Sequence, residues 1–234
     1  MGTAIPTARM RAKAEVRGEI IAEARRQLAM EGAPALSLRA VTRQLGMASS
    51  AVYRYFPSRD DLFTALIVEA YNALGEVAEA AVAVGGPAAE RWRALCRAIR
   101  VWALGHPHEY ALIYGSPIPG YEAPELTIGP ASRVTLAMAR LVVEAYEGGE
   151  LDPVEGEVLP PAVADEARRV GDVAMPGLPL PVVARAVVAW TQLFGQISFE
   201  LFGQMTNVVE DPAVLFDHSV TVMAGVLGLQ LSRP

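Results

Sequence analysis

Apolar residues recur at three- and four-residue intervals along most of this chain, the spacing of one face of an α-helix. Over residues 17–30, Ile20, Ile21, Ala24 and Leu28 keep that spacing, and Glu31-Gly32-Ala33-Pro34 ends it. Ser37 then stands as an N-cap before Leu38, Val41 and Leu45, and Gly46 stops this second, short helix. A third helix of under three turns is predicted over 49–56, closed by Pro57. Its wheel places Val52 and Phe56 on one side with Tyr55 on the flank, and Ser50, Tyr53 and Arg54 opposite. Ser58-Arg59-Asp60-Asp61 has the spacing of a capping box and opens a longer helix carrying Leu62, Phe63, Leu66, Ile67, Tyr71, Leu74 and Val77.

The same period continues beyond Pro87, where Trp92, Leu95, Cys96, Ile99 and Trp102 form one stripe. Further helices are predicted over 107–113, 131–146, 161–170 and 182–203, with a last one from Pro212 to about 231. Residues 115–130 and 147–160 are rich in proline and glycine and read as connections. No convincing strand and no internal repeat emerges. The pattern predicts an all-α protein: a three-helix helix-turn-helix unit over 1–60, followed by a larger helical body over 61–234.

Composition adds limits. At 52% hydrophobic the chain is a folded protein, and a single cysteine, Cys96, excludes an intramolecular disulfide or a cysteine-based zinc site. No apolar run follows the basic amino terminus as in a signal peptide. The longest apolar stretch, 186–199, contains Gln192 and Gln196 and falls short of the roughly 20 residues of a membrane span. A cytoplasmic protein without a membrane partner is expected. Residues 1–60 hold 10 basic and 5 acidic side chains, whereas the remainder holds 10 and 21. A basic head on an acidic body suggests that the small unit meets a polyanion.

Two short helices joined by a glycine turn, the second polar on its outer side, form a helix-turn-helix candidate whose hydroxyls, guanidinium and rings suit a DNA duplex. Residues 17–63, through the stretch SLRAVTRQLGMASSAVYRYFPSRDDLF (37–63), closely resemble the amino-terminal domain of the TetR family of transcriptional regulators. WALGHPHEYALIYGSPIPGYEAP (102–124) and WTQLFGQISFELFG (190–203) are similar to the subgroup with a W-H-G type regulatory domain. The all-small turn Met47-Ala48-Ser49-Ser50 departs from relatives that often carry a larger polar residue, which leaves base preference open.

The resemblance implies that Ser50, Tyr53 and Arg54 face the major groove with Ser49 at the start of the recognition helix. Ser37, Arg39, Tyr55 and Arg59 would mainly grip the phosphate backbone. It also implies a homodimer on a palindromic operator, built from stripes on the last two long helices: Trp190, Phe194, Ile197, Leu201, Phe216, Val220, Met223 and Leu227. The competing reading is that these stripes cover only their own core. A small-molecule effector is implied as well, with Trp102, His106, Tyr110, Tyr114, Met138 and Phe194 as pocket candidates, against a reading of buried packing.

The expectation is therefore a ligand-responsive repressor in which the effector shifts the helix beginning at Arg59. A DNA-binding protein without an inducer, or an enzyme using the carboxyl-terminal pocket, are the alternatives. The enzyme would need Glu109 or His106 as its acid/base pair, and no nucleophile elbow, P-loop or dinucleotide fingerprint accompanies them. His106, His108 and Glu109 lack the spacing of metal ligands on one helical face, so neither metal nor cofactor is expected.

Overall fold

The computed structural model describes residues 7–152 and 156–229. In chain order the helices are α1 (Ala8–Glu31), α2 (Leu38–Gln44), α3 (Arg59–Ala83), α4 (Ala88–Gly105), α5 (Pro107–Tyr114), α6 (Ile128–Glu147), α7 (Pro161–Ala174), α8 (Leu180–Leu201) and α9 (Pro212–Leu227). Among the described residues the one β-type contact is an isolated antiparallel bridge between Leu151 and Leu229. The protein is all-α. Its contacts divide it into two compact units: residues up to 70 together with 108–128, and 71–107 together with residues from 129 onward. The expected boundary at residue 60 differs from this packing, which groups the first turns of α3 and nearly all of α5 with the helix-turn-helix.

In the first unit, α1 begins at Ala8 rather than near residue 17, with Thr7 accepting from the Met10 amide at 3.3 Å. Almost all of its first turns are exposed, so no apolar period announces them. Ile20, Ile21, Ala24 and Leu28 are buried as their spacing predicts. Ser37 caps α2, accepting from the Ala40 amide at 3.4 Å. At α3 the Ser58 hydroxyl accepts from the Asp61 amide (3.1 Å) while the Asp61 carboxylate accepts from the Ser58 amide (2.9 Å), the reciprocal pair of a capping box.

Charge ties the unit together. Arg25 lies 3.1 Å from Glu69 on α3 and 2.8 Å from Glu109 on α5, and Arg17 approaches Glu69 at 3.6 Å. The Arg25 Nε–H makes no aligned hydrogen bond, so its contact with Glu109 is an ion pair held by charge. Tyr121, in the connection before α6, packs its ring 5.9 Å from Phe63 and shares a 3.0 Å hydrogen bond with Thr64.

The second unit is a helical bundle around the α4 stripe. Trp92, Leu95, Cys96, Ile99 and Trp102 are all buried, and the Trp92 indole donates to the Val220 carbonyl of α9 at 3.1 Å. Burial pushes the Cys96 thiol well above its ordinary pKa, which leaves it protonated and inert. Arg100 bridges three helices: it donates twice to Glu200 on α8, at 2.8 and 2.5 Å, and stacks 5.1 Å above the Phe216 ring of α9. Gly75 is needed on α3, because a Cβ there would stand 2.7 Å from the Arg133 Cβ. That close approach lets Arg133 donate to Glu79 and to the Asn72 carbonyl.

α6 starts ahead of Pro130, earlier than predicted, since a proline in the first turn removes a donor that lacks an intrahelical partner anyway. α8 is longer than its most apolar segment. It and residues 125–147 are each long and apolar enough to cross a membrane by length and composition. Both bury one face inside the unit, α8 through Val182, Val183, Leu193, Phe194 and Ile197, and α6 through Val134, Met138, Leu141 and Val142.

Candidate DNA interface and effector cavity

Gly46, at φ +64°, turns the chain out of α2 in a conformation that favours glycine. The Met47 amide donates back to the Thr42 carbonyl at 3.0 Å and closes the turn. From there to Pro57 the structure differs from the predicted third helix. Residues 52–54 form a single 3-10 turn, and the Ala51 amide bonds the Ala48 carbonyl at 2.8 Å. Only Phe56 to Val52, at 2.9 Å, keeps an α-type bond in this stretch. The physical reason is local. Pro57 disfavours the α conformation in the residue before it, and consecutive serines offer the backbone competing partners. Ser49 consequently caps no helix.

The sidedness of the segment nevertheless follows the wheel. Val52 and Phe56 are buried, while Ser49, Ser50, Arg54 and Tyr53, the last 48% exposed, face outward. Arg17 stacks over the Phe56 ring at 5.1 Å, which pins the buried side. Arg39 is exposed, Ser37 and Tyr55 half-buried. Ser37, Arg39 and Tyr53 share one groove. Arg54 and Tyr55 line another with Arg9 and Lys13 of α1. Arg9 and Lys13 were not among the residues assigned to DNA from sequence; the basic excess of 1–60 was their only signal.

Arg59 lines the same groove as Ser37, Arg39 and Tyr53, and it also makes hydrogen bonds within the chain. Its Nε donates to the Leu36 carbonyl and its second terminal nitrogen to the carbonyls of Ala33 and Pro34, each at 2.9 Å. It also stacks 4.8 Å over Phe63. Through these bonds the guanidinium holds the turn before α2 to the start of α3.

The second unit contains a cavity of about 230 Å³. α6 contributes Thr135, Met138, Ala139 and Val142, with Trp92 from α4 and Leu227 from α9. α7 and its end supply Val170, Ala174 and Met175, and α8 supplies Ala186, Val187 and Trp190. No charged side chain stands among these described lining residues.

Of the six pocket candidates only Met138 belongs to this lining. Trp102 is buried with its ring 5.0 Å from that of the exposed His106, whose Nδ1 lies 2.9 Å from the Trp102 carbonyl. Tyr110 and Tyr114 pair their rings at 5.1 Å in the first unit, and Phe194 is buried. The correction has a simple cause. A cavity collects side chains from five helices, and neighbours along one helix cannot reveal it.

The pairing stripe needs a similar correction. Ile197, Phe216, Val220, Met223 and Leu227 are at most 1% exposed within the single chain and Phe194 is buried too, so these side chains form the chain's own interior. Trp190 and Leu201 are half-buried, and Trp190 turns to the cavity. The exposed apolar side chains of these helices lie on other faces: Val188, Phe199 and Phe202 along α8 and its end, Val214 and Val222 on α9. Among the described residues no three His, Cys, Asp or Glu side chains converge as metal ligands would.

A glycine-turned pair of short elements with a polar outer face, joined to a helical bundle that encloses an apolar cavity, defines a helix-turn-helix regulator. Residues 20–66 match the family of bacterial regulatory proteins, tetR family, and residues 92–223 match the tetracyclin repressor-like C-terminal domain. The chain belongs to the TetR family and is a DNA-binding transcription regulator. It is 37% identical over 222 residues to the HTH-type transcriptional regulator Rv1816 of Mycobacterium tuberculosis, covering 92% of this chain and 94% of that one. Mb1846 of Mycobacterium bovis matches to the same degree. The crystal structure of SCO4313 is similar at TM-score 0.78 and 36% identity, covering 94% of this chain and 100% of that chain. A regulator of the family from Rhodococcus RHA1 shares the fold at TM-score 0.64 with 15% identity, covering 93% of this chain and 99% of that one.

Proposed function

We propose that the protein is a homodimeric, small-molecule-responsive repressor that binds a palindromic operator. One observation carries the DNA face: Ser49, Ser50, Tyr53 and Arg54 point outward from a turn whose Val52 and Phe56 are fixed in the core. Hydroxyls, a phenol and a guanidinium presented together can read base edges, with Arg39, Arg9 and Lys13 on phosphates. Base contacts set which sequence is bound; phosphate contacts set how strongly salt weakens binding.

Pairing is assigned to the exposed face of α8 and α9, on which Phe199 is 56% and Val222 45% exposed. A two-fold pair of recognition turns then calls for an inverted-repeat site. The cavity of the second unit is the effector site, and α3, continuous from 59 to 83, is the covalent path by which occupancy changes the recognition turns. An effector shifts that equilibrium only by binding the two arrangements with different affinity. With this role the chain works where the DNA is, in the cytoplasm, and its cavity serves binding in place of catalysis.

The test is a titration of the protein onto its own promoter DNA at several salt concentrations. Binding confined to one inverted repeat, weakened by salt and by Tyr53→Ala, is the expected result. Salt-insensitive binding, or no loss in Tyr53→Ala, overturns the DNA face.

A further inference from the structure

The composition of the cavity wall restricts what it can hold. The deep wall is Trp92, Met138, Val142 and Met175, all buried, and the outer wall between α7 and α8 includes Trp190 and the exposed Val170. Trp92 has already given its indole N–H to Val220. Among the described lining residues, the side-chain groups that remain for a ligand's polar atoms are the Thr135 hydroxyl and the Trp190 indole. An ionised carboxylate or ammonium would lose its hydration here without meeting a counter-charge, a cost that far exceeds one hydrogen bond. Flat rings, by contrast, find two indole surfaces and two polarisable thioethers, which make favourable contacts with aromatic edges.

Volume sets the size. An apolar cavity of about 150 Å³ holds one benzene ring and stays dry. On that scale the 230 Å³ cavity holds about nine non-hydrogen atoms, one ring with a short substituent or a small fused bicycle. We infer that the effector is an uncharged aromatic molecule of one to two fused rings, held by the two tryptophans and two methionines between α6, α7 and α8. This deepens the effector-site reading above and rests on it. The acidic surface of the body does not enter the choice, because no charged side chain is among the described lining residues.

The probes are indole, benzoate of matching size, and decanoate, titrated calorimetrically into the full-length protein without DNA. Indole binding at least tenfold tighter than benzoate or decanoate is expected, with a raised melting temperature. Ala174→Leu and Ala186→Leu, each filling the cavity from a half-buried position, should weaken indole binding at least tenfold. Circular dichroism checks that each variant is folded; two variants on different helices guard against one failing. Benzoate or decanoate binding in place of indole overturns the proposed class and leaves the effector site standing. Indole bound equally by wild type and both folded variants overturns the location, and binding of none of the probes overturns the proposal. Operator release is read separately by anisotropy of labelled DNA: indole bound without release overturns the effector role but not the chemical class.

Discussion

The two compact units carry their chemistry in opposite ways. In the first, the candidate base-reading side chains Ser49, Ser50, Tyr53 and Arg54 point outward from one short segment, and neighbours in sequence are neighbours at the site. In the second, they point inward from five helices, so that Trp92, Met138, Met175 and Trp190 meet although they are distant in sequence. A face that docks on a long polymer can be written locally, since the ligand supplies the continuity. A cavity that encloses a small molecule needs walls on several sides, which only packing provides.

Substitutions separate these cases by size of effect. Trp92→Ala removes a buried ring and leaves the Val220 carbonyl without its indole donor. A loss of about 3–5 kcal/mol in urea unfolding is expected, the largest of the effects compared. The comparison breaks if the loss is no greater than that of an exposed tyrosine.

Phe199→Asp and Val220→Ala oppose two faces of the α8–α9 pair. The first should convert dimer to monomer in sedimentation, as a charge placed in an apolar contact is desolvated without a partner. The second should cost about 2 kcal/mol of stability with the dimer mass retained. An exchange of these outcomes returns the pairing face to the buried stripe.

On the first unit, Arg54→Ala and Tyr53→Ala should each cost about 1–3 kcal/mol of operator affinity and relax preference at one base position. Arg9→Ala or Lys13→Ala should weaken all DNA alike and reduce the salt slope by about one. Arg59→Ala sharpens the contrast: it should lower thermal stability while leaving the salt slope unchanged, because its donors hold the carbonyls of Ala33, Pro34 and Leu36.

The smallest effect is in acid. Hydrogen bonds from Arg26, Arg133 and Arg97 hold the carboxyls of Glu23, Glu79 and Asp217 below their ordinary values. A carboxyl depressed in the folded state contributes stability above its unfolded pKa and loses it as pH falls through the folded value. Stability should therefore decline below the ordinary carboxylate range, and Asp217→Asn should make that decline shallower. Arg97 is 58% and Asp217 49% exposed, so solvent screening keeps the difference small.

Most helices were legible from spacing and caps. Ser37, Ser58 and Pro57 act where their chemistry put them, because a cap or a proline works on the residues beside it. The amino-terminal turns of α1 were not legible, since an exposed, charged helix has no apolar period to display. The recognition segment was legible in its sidedness but not in its form, as a 3-10 turn and an α-helix of one or two turns present nearly the same faces.

The sequence by itself determined an all-α chain, the place of its helix-turn-helix, and which of Ser50, Val52, Tyr53, Arg54 and Phe56 face out or in. Each depends on periodicity and local hydrogen bonding within a few residues. The tertiary structure alone decided that Arg59 braces a turn, that Trp190 lines a cavity, and that Val220 and Met223 are interior while Phe199 and Val222 are exposed. α8 and α9 are apolar on more than one side, and such a helix does not record which side meets its own chain. Only the neighbours that claim a face settle that.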